Sequence, residues 1–164
     1  MPEPGEGTCG SVCEDRRGNR FAFSRWWSAE PFVTFVMHNP SIVKGSPIPK
    51  KCAGWVQGWN GILVGTKSLI CTHSSAPKPF ALNDMTPEIR STNRALILAS
   101  CLNAARVVFA WGDDGPLLVP KEIDWLHDAL QGHDSYTLGV SSGFRQPCHP
   151  QRLHGALSLV PYSL

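Results

Sequence analysis

The chain's 164 residues are 42% hydrophobic, enough for one α/β domain with a real core and short for two. Its 15 basic and 13 acidic residues leave a formal charge of +2, so no chain-wide basic excess advertises a polyanion and any nucleic-acid contact must be local. No apolar run approaches the ~20 residues that span a bilayer, and the first 19 residues lack the apolar stretch of a signal peptide, so a soluble, cytoplasmic protein with no membrane partner is expected.

Residues 1–18 are rich in Gly, Pro and charge and read as a flexible N-terminal tail; 19–164 read as a single domain. Arg20 to Trp26 alternates Phe21 and Phe23 with polar neighbours, the pattern of a short edge strand. Phe32 to Met37 is a continuous apolar, β-branched run that Asn39-Pro40 breaks, which predicts a buried strand ending in a turn. After Ser46 to Pro49, Cys52, Trp55, Val56 and Trp59 recur at helical spacing and predict a one-faced helix. Ile62 to Val64, continuing through Gly65 to Ser68, predicts the second core strand, followed by the polar loop Thr72 to Pro79.

Thr86-Pro87-Glu88 has the capping hydroxyl and first-turn proline of a helix start, and Ala95 to Ala105 is apolar almost all round, as in a helix buried on several sides. Val107 to Trp111 is a third short strand, stopped by the turn-forming Gly112-Asp113-Asp114-Gly115. Pro120 to Leu130 carries Ile123, Leu126 and Leu130 on one face, with Gly132 placed to end the helix, and Tyr136 to Val140 supplies the fourth strand. Strands and helices in alternation imply parallel crossover units: an α/β three-layer sandwich with a central four-stranded, mostly parallel sheet and helices on both faces. Met37-His38-Asn39-Pro40-Ser41 and His149-Pro150-Gln151-Arg152-Leu153 then put polar groups on turns at one sheet edge, where open α/β folds bind ligands.

Of the six cysteines, Cys52, Cys71 and Cys101 have apolar surroundings and suit packing in a reducing compartment. Cys9 and Cys13 are spaced C-x-x-x-C, the beginning of a zinc or iron-sulfur set that no second close pair completes. Cys148 abuts His149 and is either a reactive thiol or a neutral gap-filler. No metal and no cofactor is implied, and there is no phosphate-loop pattern, no G-x-S-x-G and no closely spaced His pair for zinc hydrolysis.

The turn after the first core strand, Ala110-Trp111-Gly112 and His149-Pro150-Gln151-Arg152-Leu153 together resemble the uracil-DNA glycosylase superfamily, which carries G-Q-D-P-Y or G-I-N-P-G, L-W-G, and H-P-S-P-L or N-P-S-G-L in that order. From about Arg20 the chain is also similar to the bacterial and phage family called domain of unknown function sixteen forty-three. Ser24-Arg25-Trp26-Trp27, Phe35-Val36-Met37-His38-Asn39-Pro40-Ser41, Trp59, Asn93, Ala110-Trp111-Gly112 and His149-Pro150 carry that likeness. The chain departs from the family pattern at Ser68-Leu69-Ile70, His73-Ser74-Ser75 and Gln151-Arg152-Leu153, around the presumed pocket.

The resemblance implies a nucleobase, nucleotide or DNA as partner, and hydrolysis or modification of a base-sugar linkage. Such cleavage passes through an oxocarbenium-like state, so water must be held at the anomeric carbon while the departing base anion is stabilised. Asn39 would hold the water, although an amide orients water without deprotonating it. His149 would donate to a base carbonyl; its structural alternative is fixing its own loop. His38, Pro40, Ser41, Ser68, Asn93, Trp111 and Gly112 would line the substrate. Arg145, Arg152 and His154 would meet phosphates or simply face solvent, and Leu153 would either wedge into a duplex or close the core. With no carboxylate at position 39, a non-catalytic binding module on the same fold is the competing expectation.

Overall fold

The computed structural model describes residues 9–14, 20–26, 33–37, 68–71, 86–113, 120–143, 145–150, 153–154 and 158–163. Among the described residues, seven strands form one mixed sheet: β1 (Cys9–Glu14), β2 (Arg20–Trp26), β3 (Val33–Val36), β4 (Ser68–Cys71), β5 (Arg106–Phe109), β6 (Ser135–Thr137) and β7 (Val160–Pro161), in the order β1-β2-β4-β3-β5-β6-β7. The middle four, β4-β3-β5-β6, are parallel throughout, and antiparallel partners flank them on each side. The α/β class and the four-stranded parallel centre expected from the sequence are both present.

Strand β3 shows how the centre is built. Val33, Thr34, Phe35 and Val36 are all buried, as a strand covered on both faces requires. Val36 packs on one face with Val107, Phe109 and Trp111, whereas Val33, Phe35 and Met37 pack on the other with Val108, Ala110 and Leu138. Successive side chains alternate between faces, so two apolar clusters back onto one sheet. Thr34 is tolerated in this interior because its hydroxyl donates to the Ser100 carbonyl at 2.9 Å.

Two helices cover the first face. Helix α1 (Pro87–Leu102) starts where Thr86 caps it, its hydroxyl accepting from the Ile89 N–H, and has proline in its first turn. Asn93, Ile97 and Cys101 are its buried residues, a single stripe at four-residue intervals. Leu102 is 52% exposed, so the expectation of burial on several sides does not hold: apolar side chains around a helix measure what it can bury, not how many neighbours it has. Helix α2 (Pro120–Ala129) lays Leu126, with Leu130 just beyond, into the same cluster as Ile97 and Cys101. The two are clamped together by buried Glu122, which meets Arg94 Nε at 2.9 Å and Arg90 Nε at 3.2 Å. Both described helices therefore lie on one face; on the other, Leu159, Tyr136 and Leu153 join the cluster among the described residues. The helix expected over Cys52 to Trp59 lies outside the described residues.

Other differences concern the sheet's edges. Six of the 18 residues expected as a tail form β1, paired with β2 from Cys9 to Glu14, and β2 is consequently an interior strand rather than an edge. An outer strand needs one ladder of backbone hydrogen bonds and little apolar burial, so composition does not reveal it. In a strand, Cys9 and Cys13 stand about 13 Å apart along the backbone, beyond what one metal ion can bridge. The second core strand runs from Ser68 to Cys71, later than the apolar run Ile62 to Val64, which lies outside the described residues. No described helix is long and apolar enough to cross a membrane.

Strand order locates a reversal point. From β3 the chain goes next to β4 on one side, whereas from β5 it goes to β6 on the other. Neighbouring strands β3 and β5 thus send their connections in opposite directions, which makes the space beyond their C-terminal ends the topological switch point where open α/β sheets bind ligands.

Candidate functional site

The ends of β3 and β5 meet at that switch point. Ala110, just past β5, donates its N–H to the Val36 carbonyl at 2.9 Å, tying the end of β5 to the end of β3. Met37 and Ala110 are buried in one cluster. The residues that follow Met37, namely His38, Asn39, Pro40 and Ser41, lie outside the described residues, as do Gln151 and Arg152.

The second meeting is closer. Beyond β6 the chain makes a hairpin, with Val140 bridged to Pro147, Ser141 N–H donating to the Gln146 carbonyl and Cys148 N–H to the Gly139 carbonyl at 2.8 Å. This hairpin delivers His149 onto Gly112. Gly112 has φ +79°, and a Cβ on it would stand 3.2 Å from the His149 Cβ. Glycine at this position satisfies both the left-handed backbone and the close approach. Gly112 N–H donates to the Pro147 carbonyl at 2.8 Å, so the β5 turn and the His149 loop form one unit. His149 is half-buried and Pro150 buried.

Three consecutive residues of the β5 turn grip the hairpin. Trp111 Nε1 donates to Gln146 Oε1 at 3.0 Å, Gly112 donates to Pro147, and Asp113 Oδ1 accepts from the Ser141 hydroxyl. Ser141 Oγ in turn accepts from the Gln146 N–H at 3.3 Å. The sequence of Gly112 to Gly115 signals a turn but gives no role to Asp113, Ser141 or Gln146; a lone Asp or Ser in a loop carries no signal of its partner 28 residues away.

The remaining expected site residues divide. Trp111 is 5% exposed, with ring centroids of Phe109 at 4.9 Å, His127 at 6.1 Å and Tyr162 at 6.5 Å, so it supports the turn from within the core and offers no open face for a base. Asn93 is fully buried in α1. Helical rise carries it about 10 Å from Ser100 toward the start of α1, the same advance that takes β3 from Thr34 to Met37, so Asn93 lies level with the strand ends. Ser68 does not join them. It pairs with Val33 at the start of β3, about 10 Å back along the sheet from the C-terminal edge. Its place in the apolar run suggested a strand end, whereas it begins the strand.

Leu153 is half-buried against the cluster containing Val33, Phe35 and Met37, the core-closing alternative. Arg145 is exposed at the hairpin's tip with φ +52°, and His154 is exposed beyond Leu153. Cys148 is half-buried beside His149, whereas burial pushes the Cys101 thiol up to about 12.

A separate open concavity of about 470 Å³ lies by the end of α2 and the start of β6, lined among others by His127, His133, Asp134 and Tyr162. Burial lowers the His127 pKa, with Asp124 and Asp128 opposing, and burial raises that of Tyr162. Its lining includes no residue of the three motifs. No group of three or more His, Cys, Asp or Glu is placed to hold a metal ion among the described residues.

The sequence pattern of the family described as Protein of unknown function (DUF1643) matches residues 20–151, a span running from the first residue of β2 past His149. No curated protein and no solved structure matches the chain. The match takes in β2 through β6, both helices and the Gly112–His149 contact, and the chain belongs to the DUF1643 family.

Proposed function

We propose that the chain is a glycosylase-like α/β domain that binds a nucleobase or nucleotide beyond the C-terminal ends of β3 and β5 and acts on the base-sugar linkage, in DNA or in a nucleotide. The observation that carries this reading is the approach of His149 to Gly112 just beyond the C-terminal end of β5, which joins two motifs 37 positions apart.

In this reading His149 donates a hydrogen bond to a carbonyl oxygen of the base. A donor already aimed at developing negative charge is worth about 2.7 to 4 kcal/mol in the transition state. Asn39, two residues beyond buried Met37, holds the attacking water or the sugar through its side-chain carbonyl. His38, Pro40 and Ser41 flank it in sequence, and Arg145 and Arg152 supply positive charge for phosphates. The amide at position 39 favours a second reading, a binding module that recognises a nucleotide or a partner without consuming it.

Incubation of the protein with nucleotides and with oligonucleotides of varied base content, read by mass spectrometry, separates the two. Release of free base, abolished in Asn39→Ala and in His149→Ala while each keeps a thermal midpoint near wild type, supports hydrolysis. Ligands that raise the melting temperature and are recovered intact support the binding module. Activity surviving in both variants removes these two residues from the site.

A further inference from the structure

We infer that Asp113 is a positioning residue: by accepting a hydrogen bond from the Ser141 hydroxyl it locks the hairpin that carries Ser141, Gln146 and Pro147 to the β5 turn and so holds His149 against Gly112. Naming His149 as the group worth positioning rests on the function proposed above; the mechanical claim about its placement does not.

The bonds form a closed circuit. Gln146 N–H donates to Ser141 Oγ, Ser141 donates to Asp113 Oδ1, and Asp113 is joined through Gly112 to Trp111, whose indole N–H returns to Gln146 Oε1. Gly112 N–H crosses the middle of the circuit to the Pro147 carbonyl. One end of the hairpin is anchored by Ser141, the other by Gln146 and Pro147, and His149 follows two residues later. Asp113 and Ser141 are both half-buried, so water competes only in part for the bond between them. The hairpin needs such an anchor, since Arg145 adopts φ +52°, a left-handed conformation that an arginine holds only where its surroundings impose it.

The circuit uses Asp113 as a hydrogen-bond acceptor, which predicts which substitutions matter. Asp113→Asn presents a carbonyl oxygen to the same hydroxyl and preserves the circuit; Asp113→Ala removes the acceptor, and Ser141→Ala removes the donor.

The test follows the His149 imidazole and the Gly112 amide by NMR in Asp113→Ala, Ser141→Ala and Asp113→Asn, with His133 at the far end of α2 as internal reference. No ligand or turnover is required, so a failure of the proposed activity leaves this result readable. Asp113→Ala and Ser141→Ala are expected to displace the His149 resonances, leave those of His133 in place and speed Gly112 amide exchange about fivefold, the loss of one ordinary hydrogen bond. Asp113→Asn is expected to restore both signals to wild type. Unchanged His149 resonances in the two Ala variants overturn the inference, and so does an Asp113→Asn variant that behaves like Asp113→Ala, because the carboxylate charge would then be what matters.

Discussion

Gly112→Ala tests the contact on which the candidate site depends. Two costs combine. At φ +79° any L-residue takes the left-handed penalty of roughly 1–2 kcal/mol. The new methyl also stands 3.2 Å from the His149 Cβ, an atom fixed to the backbone that no rotamer change can move away. Relief requires a loop shift of a few tenths of an ångström against the Gly112–Pro147 hydrogen bond, and overpacking of this kind costs about 1–3 kcal/mol, here toward the lower end. Gly132→Ala provides the reference: its φ is +83° and nothing lies within 4 Å of its added Cβ, so it carries the conformational penalty alone. In urea unfolding with unchanged m-values, Gly112→Ala should therefore lose about 1 kcal/mol more than Gly132→Ala. His149→Gly removes the atom that the methyl meets. In a double-mutant cycle the excess should vanish in that background. Equal losses for the two glycines, or an excess that survives His149→Gly, would refute the close approach of His149 to the β5 turn.

Glu122→Ala should destabilise by about 1–3 kcal/mol, because buried Glu122 bridges two arginines but their side chains, 31% and 29% exposed, remain partly hydrated once it is gone. Thermal midpoints should fall by roughly 2–4 °C per kcal/mol in a domain of this size, and Arg94→Ala should be strongly non-additive with it; additive losses would remove the clamp between α1 and α2. Buried Cys101 should resist iodoacetamide in the native protein at pH 8, react fully in urea, and be labelled more slowly than Cys148 by peptide mass spectrometry. Its thiol rises from 9.0 to about 12 on folding, so the folded state holds the proton more tightly: the associated stability is complete below pH 9 and is lost as pH climbs toward 12, seen as a falling urea midpoint over that interval.

Elements whose identity depends on local chemistry are legible in the chain. Thr86-Pro87 marks the start of α1, the alternation of Phe21 and Phe23 identifies β2 over Arg20–Trp26, and Leu126 and Leu130 define the buried face of α2. Elements that exist through pairing are not. β1 and the two-residue β7 carry little apolar signal, because an added outer strand is held by ladder hydrogen bonds to β2 and β6. The face a helix occupies is also invisible locally: Ile97 and Leu126 share a cluster because of strand order, which no periodicity encodes.

The same division runs through the site. That β3 and β5 end in turn-forming sequence follows from apolar runs broken by Asn39-Pro40 and Gly112-Asp113, but that these two strands are neighbours with diverging connections follows only from the order β4-β3-β5-β6. Ser68 ends an apolar run in the sequence, yet the register with Val33 puts it at the N-terminal end of its strand. Trp111 shows a subtler limit. A strand-end tryptophan beside a glycine reads equally as a platform for a base or as a pillar for the turn, and the choice is made by Phe109, Tyr162 and Gln146, residues distributed along more than 50 positions of sequence. Gly112 is informative for the opposite reason: its φ and its contact with His149 both demand the absence of a side chain, so a single glycine records at once a turn and the nearness of a distant loop.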